Sequence, residues 1–185
     1  MKLVNLHGDF DEYDEFASQL ENLPIDLLDV KAGFENKADE IAKRHYESEY
    51  MIWIGGSEVW GETYLFSMCI LEEMQWLKTK SVTSSEFFHG TLELVEKDTS
   101  VILVKGEGVC RVLDDRVEKF VSNYSEKFDI IDPKEFELKH ISDKYRWIVA
   151  PVVVSTMLVD RLGFHFENYT KHDLDIRRYY RQFDY

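Results

Sequence analysis

Two short runs of consecutive apolar residues, each closed by a glycine-containing turn, constrain the fold of this chain more than any other feature. Residues 50–54 read YMIWI and are followed by Gly55-Gly56-Ser57, and residues 101–104 read VILV and are followed by KGEG. Apolar side chains at every position indicate strands that are covered on both faces, which is typical of a parallel sheet.

The segments around these runs predict alternating helices and strands. Apolar residues recur at spacings of three and four where helices are expected. The predicted helices cover residues 25–46, 57–76 and 113–124, with Asp26 as the N-cap of the first, and a final long helix begins near Pro151. Further strands are predicted over residues 80–83 and 128–132. This alternation predicts an α/β fold in three layers, a mainly parallel sheet between helices with right-handed crossovers.

A chain of 185 residues is long enough to bury one good core, so a single domain is expected. Residues 1–24 carry acidic clusters and end in a Leu-Pro pair, which predicts a lead-in or linker. The domain itself is predicted over residues 25–170, with a C-terminal tail over residues 171–185 in which arginines stand among aromatic residues.

The charge balance excludes one class of partner. The chain has 36 acidic and 22 basic residues and a net charge of −14, so it repels a nucleic-acid backbone.

Cys69 and Cys110 are the two cysteines, which imply neither a disulfide framework nor a metal cluster. No signal sequence is recognisable and no apolar run reaches the roughly 18 residues of a membrane span, so a cytoplasmic protein without a membrane partner is expected.

Glu73 and His89 are the residues most suited to chemistry. They stand sixteen residues apart, the carboxylate near the end of a predicted helix and the imidazole in a turn-rich segment. Together they can move protons to and from carbon at neutral pH, although each alone is more often a solvated or structural residue. Glu86 could orient the His89 ring or cap a short helix. Gly56 and Ser57 lie where a strand gives way to a helix, a position that suits either an anion site or a plain tight turn.

These residues resemble a motif of the SIS, or sugar isomerase, family. In that family a long helix ends in a glutamate, and sixteen residues later a histidine stands in a glutamate-x-x-histidine-glycine pattern, which residues 86–90 match. The segments EEMQW and SSEFFHG, and RRYY near the C-terminus, look most similar to the fructosamine-6-phosphate deglycase branch. The likeness covers residues 27–185 and implies a flavodoxin-like sheet that binds phosphosugars.

The resemblance also implies roles for single residues. Glu73 would carry a proton between C1 and C2 of the opened sugar, and His89, donated by a neighbouring subunit, would assist ring opening. A homodimer or higher homo-oligomer is therefore expected. Where the synthases of the family have a lysine near the C-terminus, this chain has Arg181 and Gln182, which favours deglycase chemistry. The residues predicted to bind substrate are Gly56, Ser57, Glu86, Arg181 and Gln182.

Members of the family carry two SIS domains, and this chain resembles the second. The serine- and threonine-rich phosphate loop of the first domain has no match here. The resemblance therefore implies half of an enzyme that converts an amino-acid adduct of fructose 6-phosphate into glucose 6-phosphate and free amine. No metal or cofactor is expected, because the substrate's own carbonyl or imine accepts the electrons. Two alternatives remain open: a non-catalytic phosphosugar-binding module and a structural dimerisation domain.

Overall fold

The computed structural model describes residues 1–184. Short 3-10 turns cover Ser57–Val59, Phe87–His89, Thr91–Leu94 and Pro133–Glu135, and π-helical segments cover Phe66–Glu72 and Leu158–Leu162. The α-helices and strands, in chain order, are α1 (Lys2–Leu6), α2 (Tyr13–Leu20), α3 (Leu23–His45), β1 (Met51–Gly55), α4 (Trp60–Leu65), β2 (Thr79–Thr83), β3 (Ser100–Val104), α5 (Arg111–Val121), β4 (Phe128–Ile131), α6 (Asp143–Met157) and α7 (Gly163–Thr170).

The four strands form one parallel sheet in the order β2-β1-β3-β4. Trp53 of β1 lies between Ser81 of β2 and Ile102 of β3. This order corresponds to the first four strands of the flavodoxin-like arrangement. The predicted α/β class and three-layer architecture are confirmed.

Each face of the sheet has its own hydrophobic core. On one face, Trp53 and Ile102 belong to a large cluster with Phe34 of α3 and with buried residues of α6. On the other face, the residues of β1 and β3 that alternate with Trp53 and Ile102 pack with Phe87 and with α5. The central strands β1 and β3 are therefore apolar over residues 51–54 and 101–104 because both of their faces are buried.

The last long helix begins earlier than the sequence predicts. It starts at Asp143, so Pro151 lies inside α6 rather than at its first turn, and helical structure continues to Thr170. Proline is common at a helix start but is tolerated inside a buried helix whose packing offsets the lost hydrogen bond. By length and composition the span Asp143–Thr170 is apolar enough to cross a membrane, and 44% of its most apolar window is buried inside the structure.

The first long helix also begins earlier than predicted. It starts at Leu23, with Pro24 in its first turn, so Asp26 is not its N-cap. Asp26 is buried instead, and its carboxylate accepts hydrogen bonds from the His140 backbone N–H at 3.0 Å and from the His140 ring Nδ1 at 2.8 Å. Pro24 in the first turn was a better indication of where this helix begins than Asp26 as a predicted N-cap.

Residues 1–24 form helices rather than an extended linker. Phe16 of α2 is buried and joins the larger core, with its ring 5.1 Å from that of Tyr145 in α6. The division of the chain at residue 24 remains a prediction, but this segment contributes side chains to the same core as the rest.

Candidate active site at the amino end of the sheet

Glu73 lies where the helix that follows β1 ends. The α-helix passes into the π-helical segment Phe66–Glu72, and the Glu73 N–H donates to the carbonyl of Met68, five residues earlier, at 3.0 Å. A π-turn changes the direction in which the following side chains point and is frequent at functional sites. Next to Glu73, the Glu72 carboxylate accepts a hydrogen bond from Thr79, the first residue of β2, at 2.6 Å. Glu73 is therefore at the amino end of the sheet.

The C-terminal tail is fastened beside Glu73 by a buried glutamine. The side-chain amide of Gln75 donates to the His172 carbonyl at 2.7 Å, and its oxygen accepts from Thr170 Oγ1 at 2.5 Å. The Leu174 N–H donates to the Glu167 carboxylate at 3.0 Å, which holds the next turn of the tail. These bonds bring the tail arginines to the helix end.

Arg177 of this tail binds Glu73 directly. Its Nε donates to Glu73 Oε1 at 2.9 Å, while its Nη1 donates to the carbonyls of Leu174 at 2.5 Å and Ile176 at 3.2 Å. The Glu73 side chain is 35% exposed and that of Arg177 is 17% exposed. Within residues 1–184, Glu73 Oε2 accepts no hydrogen bond, so one carboxylate oxygen is fixed and the other is free to take a proton.

A cavity of about 660 Å³ opens beside this pair. Its volume lies within the range of small-molecule sites. Its walls combine carboxylates, basic groups and aromatic rings, a set that suits a ligand with polar, charged and carbon-chain parts. The residues that line it include Glu73, Trp76, Lys78, Arg177, Arg178 and Tyr179.

His89 lies at the other end of β2. It closes the 3-10 turn Phe87–His89, its N–H donates to the Glu86 carbonyl at 2.9 Å, and its side chain is exposed. Phe87 holds this turn in the second core, where its ring packs edge-on against Phe120 of α5. Among the residues described, the His89 ring has no hydrogen-bond partner and remains open to solvent or to another molecule.

Glu73 and His89 are thus separated by the length of a strand. From its first to its last residue, β2 spans four steps of about 3.3 Å, or about 13 Å. The Glu73 and His89 side chains lie beyond its opposite ends. A single copy of this chain does not bring them to the same sugar carbon.

The predicted substrate-binding residues at the carboxyl end lie next to acidic side chains. Gly56 is buried against the carboxylate of Asp114, which accepts hydrogen bonds from Ser84 Oγ at 2.5 Å and from the Gly106 N–H at 2.8 Å. Burial raises the pKa of Asp114, against the effect of these hydrogen bonds. Ser57 is exposed at the rim of a cavity of about 160 Å³.

A second carboxylate occupies the glycine loop that follows β3. Glu58 Oε1 accepts hydrogen bonds from the backbone N–H groups of Glu107 and Gly108, both at 2.6 Å. These are the free backbone donors to which an anionic ligand would bind at this edge. The protein's own acidic side chains therefore fill much of the anion-binding capacity at the carboxyl end.

Of the remaining predicted binding residues, Glu86 lies apart from Arg181 and Gln182. Glu86 is exposed beside His89, and its N–H donates to Thr83 Oγ1 at 3.1 Å. Arg181 and Gln182 are exposed in the tail just after the cavity, where the Arg181 guanidinium lies 5.0 Å from the Tyr180 ring centroid. The site-residue predictions stay predictions.

Sequence reasoning missed Trp76, Arg177 and Glu58. The run of arginines and tyrosines in the tail was a visible signal, but nothing in the sequence pairs Arg177 with a glutamate 104 residues earlier. Within residues 1–184, no group of three or more histidine, cysteine, aspartate and glutamate side chains is arranged to hold a metal ion.

No protein-family model matches the chain. It is 28% identical over all of its 185 residues to fructosamine deglycase FrlB of Bacillus subtilis, and it covers 55% of that protein. It is 23% identical over 169 residues, or 91% of its length, to fructoselysine 6-phosphate deglycase of Escherichia coli, and covers 48% of it. The chain therefore spans about half the length of the curated relatives it matches.

Solved structures show the same likeness. A phosphosugar isomerase of Salmonella typhimurium, so described provisionally, superposes with a TM-score of 0.91 at 25% identity, over 98% of this chain and 56% of that one. The C-terminal domain of glucosamine-fructose-6-phosphate aminotransferase from Francisella tularensis shares the fold, with a TM-score of 0.67 at 15% identity over 88% of this chain and 47% of that one. The resemblance to phosphosugar-isomerase (SIS) domain proteins is confirmed.

Proposed function

We propose that this chain is the base-bearing half of a deglycase for fructosamine 6-phosphates, the adducts of an amine with fructose 6-phosphate. The observation that carries the proposal is Glu73, which stands at the rim of a sugar-sized cavity with one carboxylate oxygen held by Arg177 and the other free. The coarser conclusion, a phosphosugar isomerase or deglycase half-domain, rests on the similarity to two curated deglycases.

In the proposed reaction, Glu73 removes a proton from C1 of the open-chain ketoamine. The electrons pass to the C2 carbonyl oxygen, which takes up a proton and gives an enaminol. The proton then returns to C2, which leaves a protonated imine at C1. Water hydrolyses this imine to the aldehyde of glucose 6-phosphate and the free amine. The substrate's own carbonyl and imine accept the electrons, so the proposal invokes no cofactor.

Arg177 supports this role by fixing the orientation of the base. A carboxylate held on one oxygen presents the other in a defined direction, and such positioning contributes to proton transfer at carbon. The partial exposure of Glu73 allows a substrate to replace the remaining water.

His89 would come from a second copy, because it lies at the opposite end of β2 from Glu73 in the same chain. An exposed imidazole without a hydrogen-bond partner among the described residues is open to a substrate and suits proton transfer during ring opening. The proposal therefore includes a homo-oligomer in which each site combines residues of two copies.

The test is the release of glucose 6-phosphate from a fructosamine 6-phosphate by the purified chain and by its Glu73→Gln variant. We expect release by the wild-type chain and a loss of at least about a hundredfold in E73Q, since a general base contributes factors of that order. Glu93→Gln is the matched control, because Glu93 is exposed and does not line the cavity. Equal turnover by E73Q and wild type would remove Glu73 from the mechanism.

A non-catalytic phosphosugar-binding module is the second candidate. It is favoured by the separation of Glu73 and His89, because one copy of the chain holds the cavity beside Glu73 but does not bring the imidazole to it. Titration calorimetry with fructosamine 6-phosphate that detects binding without any glucose 6-phosphate release would favour this candidate. If the chain neither binds fructosamine 6-phosphate nor releases glucose 6-phosphate, both the deglycase and the binding-module candidates are contradicted. A structural dimerisation domain would then remain.

A further inference from the structure

The cavity beside Glu73 contains a cation that the proposed proton transfer does not use. Of its three basic residues, Arg177 binds Glu73, and Lys78 is largely exposed with its Nζ 3.9 Å from a Glu49 oxygen. Arg178 is different: its guanidinium carbon lies 4.1 Å from the Trp76 ring centroid. Among residues 1–184, no carboxylate forms an ion pair with Arg178.

Trp76 is held in place as the support for this guanidinium. Its φ is 57°, in the left-handed region, which is strained for a tryptophan and persists only where surrounding contacts fix it. Its ring also packs against His172, with centroids 4.1 Å apart, and the His172 carbonyl is bound by Gln75. The indole therefore presents a fixed surface to Arg178.

A guanidinium stacked on an indole keeps its in-plane N–H groups free. This edge matches the two oxygens of a carboxylate in a bidentate pair, and stacking reduces the rotamer entropy lost on binding. The neighbouring walls contributed by Tyr179 and Tyr180 are aromatic and suit a carbon chain. The chain as a whole carries a net charge of −14, so a basic group without a carboxylate partner is a local exception.

We infer that Arg178, stacked on Trp76, binds the carboxylate of the amino-acid half of the substrate, and that the enzyme thereby selects adducts of amino acids over adducts of simple amines. This inference rests on the proposed function and adds the residue that recognises the amino-acid half, for which the sequence offered no candidate. The phosphate of the sugar is the other anion that a guanidinium could bind, and the test below separates the two.

The test compares substrates that differ only by the carboxylate. One pair of fructosamine 6-phosphates carries glycine or methylamine, and a second carries lysine joined through its side-chain amine or pentane-1,5-diamine. For at least one pair we expect the wild type to prefer the carboxylate-bearing member at least about tenfold in kcat/KM, as for a charge-assisted hydrogen-bonded pair. In Arg178→Gln this ratio should fall to near one. Lys171→Asn, which removes an exposed charge outside the cavity, should keep the wild-type ratio.

The outcomes separate this inference from the proposed function. Turnover of both members of each pair at equal rates by the wild type would overturn the inference and leave the function intact. A decrease in kcat/KM by the same factor for both members of a pair in R178Q would assign Arg178 to the phosphate and would also overturn the inference. If no adduct is turned over, calorimetry measures binding of the same adducts. Binding that depends on the carboxylate and is lost in R178Q supports the inference about Arg178 but not the proposed function. Binding that is absent, or that does not depend on the carboxylate, overturns the inference.

Discussion

At the scale of single residues, the ion pair between Arg177 and Glu73 organises the candidate site. Glu73 and His89 could be singled out by residue type, spacing and resemblance. The pairing of Glu73 with Arg177 could not, since it depends on a tail that Gln75 holds against the end of a helix about a hundred residues earlier. Side-chain pairs between distant segments are fixed by packing, which leaves no periodic signal.

His45 is a second residue whose role only the fold reveals. It is fully buried at the end of α3, with Nδ1 2.6 Å from Ser100 Oγ and Nε2 2.8 Å from Asp129 Oδ2, so it ties the helix to the amino ends of β3 and β4. Burial lowers the pKa of His45 below its ordinary value of 6.5, although the bond to Asp129 opposes this. The folded state therefore favours the neutral ring.

This burial predicts a pH dependence of stability. The unfolded chain takes up a proton at His45 first as the pH falls, so the stabilisation is fully present above about pH 6.5 and decreases below it. His45→Gln should lower the free energy of unfolding by about 2 kcal/mol at pH 7.5, through lost hydrogen bonds. It should also lose less stability than the wild type between pH 7.5 and 5.5.

Urea unfolding at the two pH values measures both effects. His7→Gln, at an exposed position near the N-terminus, is the matched control and should follow the wild-type pH dependence. The same pH dependence in H45Q and wild type would show that His45 is not the group responsible.

At the scale of elements, β1 and β3 were predictable because burial on both faces makes residues 51–54 and 101–104 apolar throughout. The helix boundaries were harder, since Pro24 and Pro151 carry the same local signal. Pro24 marks a helix start, whereas Pro151 lies within α6 because tertiary packing of that helix offsets the lost backbone bond. Local rules cannot rank these two prolines, because the deciding contacts are with other elements.

The first 24 residues, which were predicted to form a lead-in or linker, share the core of the rest of the chain, because α2 places Phe16 against α6. Phe16→Ala should therefore lower the free energy of unfolding by about 3 kcal/mol, by removing a buried ring from a packed core. Chemical denaturation followed by tryptophan fluorescence measures this.

Leu3→Ala is the control for that prediction. Leu3 is 74% exposed in α1, and its truncation should change the free energy of unfolding by less than about 0.5 kcal/mol. Equally small effects for both variants would mean that residues 1–24 are not part of the cooperatively folded domain.

At the scale of the whole molecule, the predicted three-layer fold follows from alternating strands and helices. The assembly does not, because it depends on surfaces that have no periodic signature. Several large apolar side chains remain exposed, among them Leu65, Met68, Trp147 and Val152. The chain also spans about half the length of the curated relatives it matches.

Because Glu73 and His89 are separated by a strand's length, the proposed function requires a site shared between two copies of the chain. The most direct measurement is activity after an equal mixture of Glu73→Gln and His89→Gln chains is unfolded and refolded together. In a two-fold dimer, half of the molecules would be mixed and each would contain one complete site, so about a quarter of the wild-type glucose 6-phosphate release should return. Each variant refolded alone should remain inactive, and sedimentation velocity should show dimers throughout. Activity of the mixture no greater than that of the separate variants, despite formation of mixed dimers, would contradict the claim.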